Sequence, residues 1–195
     1  MDTTIREFFD ARAGRWDQIT THPPERVAAV LDLLGDISAA RVLDVGSGTG
    51  VLLDSLLERV GPKGEVVALD LSPLMIEASR ARHQGPNLLH EMGDFVSWRS
   101  SDPFDCIIAY SCFPHFLDPE GFWLSVCANL RSGGLLLVAH IEGRLAIDRE
   151  HGGAASAISL PLPPVEELAA RARSLGMEPV LQKDSDDSYF FLARR

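Results

Sequence analysis

Val42-Leu43-Asp44-Val45-Gly46-Ser47-Gly48-Thr49-Gly50 is the stretch that decides how this chain folds. A short apolar run carries one acid, three glycines then fall at every second position, and Val51-Leu52-Leu53 opens an amphipathic stretch. The pattern reads as a buried strand, a tight turn and a helix start. The turn is stripped of side chains, so a ligand can approach backbone N–H groups. A dinucleotide-binding turn needs its third glycine or alanine three residues after the second, where helix and strand pack closely. Val51 holds that place here, and the glycine comes one residue earlier. The spacing therefore disfavours a nicotinamide site.

Outward from this turn, apolar runs alternate with helical stretches, which predicts a parallel α/β sheet. Upstream, helical segments are expected over about 3–15 and again after Pro23-Pro24, where Val27, Val30, Leu31 and Leu34 fall at helical spacing. Downstream, strands are expected at 41–45, 65–70, about 87–92, 104–110 and 135–140. Helices are expected at 50–60, from Ser72-Pro73, and at about 119–130. Residues 141–163 follow neither period and read as a long irregular segment, a kind that is usually functional. A last helix carries Val165, Leu168, Ala169 and Ala172, and strands at 178–183 and 188–194 flank the acidic turn Asp184-Ser185-Asp186-Asp187. That hairpin would add an antiparallel strand at the sheet edge. The reading is one domain over 1–195, with a helical segment at 1–35 ahead of a core at 36–195.

The 195 residues are 46% hydrophobic and 24% charged, ordinary values for a globular domain. A net charge of −10 and the lack of any basic run argue against a nucleic-acid partner and for a small neutral or cationic substrate. The longest aliphatic run, Leu135 to Ala139, is too short to span a bilayer. The start of the chain lacks a basic, apolar leader pattern, and Cys106, Cys112 and Cys127 form no paired motif. A cytoplasmic location is expected; a homodimer is left open.

Asp70 ends the second strand, 20 residues after Gly50. A carboxylate there offers two acceptor oxygens to the hydroxyls of a ribose. Gly93-Asp94-Phe95 follows the third strand. With these three sites in order, the chain resembles the class I, Rossmann-like S-adenosylmethionine-dependent methyltransferases, in a small-molecule branch similar to the ubiquinone and menaquinone methyltransferases. The resemblance covers about residues 36–195. It implies a three-layer sandwich around a seven-stranded, mostly parallel sheet in the order 3-2-1-4-5-7-6, the last strand antiparallel, with the N-terminal helices as a lid. It also implies that S-adenosylmethionine is bound by Asp44, Gly46, Ser47, Gly48 and Gly50 of the first motif and by Asp70, Leu71 and Met75 of the second. Gly93, Asp94 and Phe95 would bind around the adenine, Asp94 accepting from its amino group, and Tyr110 would lie beside the cofactor. S-adenosylhomocysteine would be the product.

Three histidines fall beyond strand ends on the ligand side: His115, His140 and His151. His115 or His140 is the expected base, and Trp16, Cys112, Arg144 and His151 are expected near the acceptor. The histidine spacings match no compact metal motif, and no metal is expected. Tyr110-Ser111-Cys112-Phe113-Pro114-His115-Phe116 departs from the Asn-Pro-Pro-Tyr of amino-group methyltransferases, which weighs against an amide or exocyclic amine substrate. A short-chain dehydrogenase is disfavoured because neither tyrosine is followed four residues on by lysine. A cofactor-binding protein without catalysis is the remaining alternative.

Overall fold

The computed structural model describes residues 3–150 and 157–195. The apolar runs form β1 (Arg41–Val45), β2 (Glu65–Asp70), β3 (Leu88–Met92), β4 (Phe104–Tyr110), β5 (Leu130–His140), β6 (Glu178–Ser185) and β7 (Ser188–Arg194). They make one sheet in the order β3-β2-β1-β4-β5-β7-β6. The first five strands pair in parallel, and β7 is antiparallel to both β5 and β6. This is the sheet the resemblance implied.

Helices cover both faces, and side-chain alternation along the strands divides the core in two. Leu43, Val45, Val67, Leu69 and Ile107 pack toward α6 (Pro119–Asn129) and α8 (Val165–Ser174). Val42, Val66, Ala68 and Ile108 pack toward α3 (Pro24–Asp32) and α4 (Leu53–Val60). Strands buried on both faces are why β1, β2 and β4 read as nearly unbroken apolar runs. Between β2 and β3 lies α5 (Pro73–Arg82), started by Ser72, whose hydroxyl accepts from Met75 N–H at 3.1 Å. Asp118 caps α6 in the same way through Gly121 N–H at 2.9 Å.

Four boundaries differ from expectation, each for a local reason. The N-terminal helix stops early as α1 (Thr3–Asp10); a 3-10 turn at Ala13–Arg15 and a short α2 (Trp16–Ile19) follow, bending the segment back across the sheet edge. The helix after the glycine turn begins at Leu53 rather than Gly50, because Gly48 and Gly50 have φ of 55° and 99°, outside helical space. β5 starts at Leu130 rather than at Leu135; Phe104 pairs with Leu130 and Cys106 with Leu135, so the intervening residues bulge. Within the segment read as irregular, α7 (Arg144–Glu150) forms.

One aromatic cluster anchors the α6 face. Phe122 is fully buried, with ring centroids 4.8–5.4 Å from Phe116, Phe113 and Phe95. Truncating such a ring removes both its transfer free energy and its packing partners. Phe122→Ala is therefore expected to cost about 3–5 kcal/mol, and calorimetry should show the melting temperature falling by about 10 °C.

Candidate functional site

The site begins where β1 ends. Gly46 N–H and Ser47 N–H both donate to Leu69 O, at 2.8 and 3.1 Å, so the turn leaving β1 is pinned to the neighbouring strand. Gly46 has φ of 65°, and a Cβ on it would stand 2.8 Å from Cys112 Cβ. Only glycine fits both demands. Gly50 answers a different one: a Cβ there would meet the His83 ring at 2.6 Å and Ser79 Oγ at 2.8 Å. The last glycine thus lets α5 pack close, and it stands outside the cavity lining, unlike Gly46, Ser47 and Gly48.

Asp70 locks the turn in place. Its Oδ2 accepts from Gly48 N–H and its Oδ1 from Ser72 N–H, both at 2.8 Å. A carboxylate has about four acceptor positions, so each oxygen keeps one for a ligand hydroxyl. The group is 8% exposed and borders the cavity. Burial pushes its pKa up to about 6, against the pull of the two N–H donors.

Asp44 lies deeper, 1% exposed, paired in register with Ala68 and Ile108 on either side. Its Oδ2 is buried with no hydrogen-bond partner, and so is Ser47 Oγ. Burial first, and the Asp70 charge second, push Asp44 up to about 8. The same two carboxylates, after burial, raise the Cys112 thiol well above its ordinary value, and that thiol donates to Val45 O at 3.1 Å. Cys112 is thus a neutral packing group rather than a nucleophile.

A cavity of about 1150 Å³ opens over these residues. Single ligand sites run to about 300–1,000 Å³, so there is room for two small molecules side by side. Leu71, Met75, Gly93, Asp94 and Phe95 border it from the β2 and β3 ends, as expected. Asp94 Oδ1 accepts from Val96 N–H at 3.1 Å, and Phe95 joins the aromatic cluster beneath. Tyr110, Cys112, His115 and His140 border it from the β4 and β5 ends. His115 Nδ1 lies 3.0 Å from Ile158 O. A carbonyl only accepts, so Nδ1 carries the proton in neutral His115. His140, 3% exposed, meets Tyr189 edge-on with centroids 6.1 Å apart.

The N-terminal segment supplies the remaining wall. Trp16 stands over the glycine turn, its Nε1 3.7 Å from where a Gly48 Cβ would be, with Phe9 packed against it at 5.5 Å. Polar contacts fasten this wall: Ser72 Oγ donates to Asp10 at 2.5 Å, Thr49 Oγ1 donates to Asp17 at 2.5 Å, and Arg82 ion-pairs with Asp17. Arg144, expected near the acceptor, instead pairs with Asp184 of β6 at 2.8 Å and does not border the cavity. Its place at the start of an unforeseen helix turns it toward the hairpin. His151 lies outside the described residues.

Sequence reasoning missed His22 as a site residue. It sits in the loop before α3 with Nδ1 3.0 Å from Tyr110 Oη. Nothing local marks it; only the fold brings together residues 88 positions apart.

The fold and this site define a Rossmann-like methyltransferase architecture. A family model described as a methyltransferase domain matches residues 42–134. The chain is 31% identical over 134 residues to a malonyl-[acyl-carrier protein] O-methyltransferase of Acetivibrio thermocellus, covering 68% of this chain and 47% of that one. It is 34% identical over 156 residues to a ubiquinone biosynthesis O-methyltransferase of Xylella fastidiosa, covering 73% and 60%. The chain thus spans about half to three-fifths of the length of these relatives. Among solved structures, a DhpI–SAH complex superposes with a TM-score of 0.76 at 23% identity, covering 98% of this chain and 95% of that one. Residues 42–134 thus match a methyltransferase domain, and the chain is similar in sequence to methyltransferases and shares the Rossmann-like fold of S-adenosylmethionine-dependent ones.

The buried Asp44 has a consequence for stability. The folded protein keeps its proton up to about pH 8, whereas the unfolded chain releases it near pH 4. Across that window the native state binds more protons, so stability falls as pH rises. Asp44→Asn should remove this loss. The melting temperature at pH 8 is expected to rise by about 3 °C, with little change at pH 4.5; an equal shift at both pH values would contradict the assignment.

Proposed function

We propose that this chain transfers the methyl group of S-adenosylmethionine to a small-molecule acceptor, releasing S-adenosylhomocysteine, in the cytoplasm. The observation that carries this reading is the Asp70 carboxylate, bound to Gly48 N–H on one oxygen and facing a cavity on the other side. The residues fit the cofactor. Asp70 would hold the ribose hydroxyls, and Asp94 the adenine amino group, with Leu71, Met75 and Phe95 around the ring. Gly46, Ser47 and Gly48 would leave backbone and one hydroxyl open to the methionine end. The unpartnered Asp44 Oδ2 below them is an unused acceptor, and a ligand with an ammonium and a sulfonium would draw Asp44 toward its ionised form.

When bound, the cofactor supplies a methyl group on an activated sulfur. The protein's own contribution is alignment of an acceptor in line with that bond, exclusion of water by the N-terminal wall, and removal of a proton where the nucleophile carries one. A small acceptor is supported by cavity volume beyond one ligand and by the acidic surface. The free thiols Cys106, Cys112 and Cys127 suit a reducing compartment, and among the described residues no helix is long and apolar enough to cross a membrane.

Each charge-assisted hydrogen bond from ribose to Asp70 is worth about 1.5–3 kcal/mol, and asparagine removes one acceptor oxygen. Asp70→Asn is thus expected to weaken S-adenosylmethionine binding about 10- to 100-fold by calorimetry. In the wild type, affinity should fall between pH 7.5 and pH 5 as Asp70, with its pKa of about 6, takes up a proton. Equal affinity of wild type and variant at pH 7.5 would sink this reading. Production of S-adenosylhomocysteine with an acceptor separates transfer from binding alone.

A further inference from the structure

One polar contact at the acceptor end of the cavity joins the N-terminal wall to the sheet. His22 Nδ1 lies 3.0 Å from Tyr110 Oη, and the two rings are 5.3 Å apart between centroids, tilted by 56°. Tyr110 is the last residue of β4 and follows Ala109, the partner of Val45, so it stands beside the glycine turn. His22 precedes Pro23, which restricts its backbone to extended conformations and fixes the ring's approach. Both residues border the same cavity as Gly46 and Gly48.

The charges around the cavity bear on what such a pair would act upon. Asp17, Asp70, Asp94, Asp118 and Glu142 border it, against a single arginine, Arg82, which is committed to Asp17. An acceptor entering as a carboxylate would meet a field of its own sign among the described residues. A neutral hydroxyl would not, but it must lose a proton to become a good nucleophile.

On the methyl-transfer reading above, we propose that His22 is the base that takes the proton of a neutral hydroxyl acceptor, with Tyr110 as its positioning residue. In this role His22 takes the tautomer whose Nδ1–H donates to Tyr110 Oη, which leaves Nε2 as the ring's lone-pair nitrogen. The acceptor's O–H proton passes to Nε2 while an oxygen lone pair forms the new bond to the methyl carbon. The carbon–sulfur bond breaks with its electron pair going to sulfur, which becomes a neutral thioether. The imidazolium then returns its proton to water. Burial lowers the His22 pKa, keeping the ring neutral and able to accept near neutral pH. Burial pushes Tyr110 up to about 12, so it stays a neutral phenol; Arg26 of α3, Glu142 beyond β5 and Asp44 of β1 are the charged groups acting on it.

The test uses the full chain, S-adenosylmethionine, and two probes of matched shape, 4-tert-butylcatechol and 4-tert-butylbenzoate. Methylation of the catechol and not the benzoate is expected. Both His22→Ala and His22→Gln should lower kcat about 100-fold while cofactor affinity by calorimetry changes less than about 2-fold. The wild-type rate should climb with pH through a pKa below the ordinary histidine value, and the variants should lose that limb. Added imidazole should restore part of the His22→Ala rate, which a purely structural role would not allow. Tyr110→Phe should keep the limb but displace it. Benzoate methylation, no turnover of the catechol despite cofactor binding, or full activity in both His22 variants would overturn the assignment, as would loss of rate only in step with cofactor affinity. Failure of the wild type to bind S-adenosylmethionine would instead remove the methyl-transfer reading on which it rests.

Discussion

The hydrogen bond from Gly48 N–H to the Asp70 carboxylate is the constraint around which the ligand edge is organised. It joins the turn after β1 to the end of β2, two strands already paired in parallel register. The other oxygen of the same carboxylate receives Ser72 N–H, and Ser72 starts α5. That helix then packs Ser79 and His83 against Gly50, closing the circuit back to the turn. Holding a carboxylate this deep is unfavourable in the empty protein, and its raised pKa records the strain. A ligand that brings hydroxyl donors and positive charge offsets that cost, so what weakens the empty edge is also what selects its occupant.

Much of this was legible in sequence because it is local. Val42–Gly50 holds strand, turn and helix start within nine residues; Asp70 closes the apolar run Val66–Asp70, and Asp94 follows the mixed stretch Leu88–Met92. The strand order came with the resemblance those residues carry, not from periodicity. What stayed hidden depends on distant parts meeting. Gly50 looks like a ligand glycine until His83 is seen against it. Arg144 looks like a substrate residue while its loop is read as irregular; in α7 it finds Asp184, forty positions on. His22 carried no local sign at all, because its partner is Tyr110 and only the folded N-terminal segment brings them together.

The two halves of the core divide the labour. The face under α6 and α8 is aromatic and dry, built on Phe122, Trp123 and Phe191, with Tyr189 tied by its hydroxyl to Pro163 O at 3.0 Å. The face under α3 and α4 is aliphatic, and at its upper margin sit Asp44 and Tyr110, the groups whose ionisation burial opposes. Rigid packing below and uneasy polar groups above is an arrangement that keeps reacting parts in place without tying them up.

The N-terminal wall is held differently from everything it covers. Its fastenings include Asp10 to Ser72, Asp17 to Thr49 and Arg82, His22 to Tyr110, and Phe9 edge-on to His115; of its side chains from residue 4 to 22, only Ile5 and Ala13 are buried. Exposed ion pairs are weak and screened by salt. A segment fastened mainly by such polar contacts opens locally at a fraction of the free energy needed to melt the sheet. A molecule built this way can exchange its contents by brief local opening, and proteases would find the same seam long before the domain unfolds.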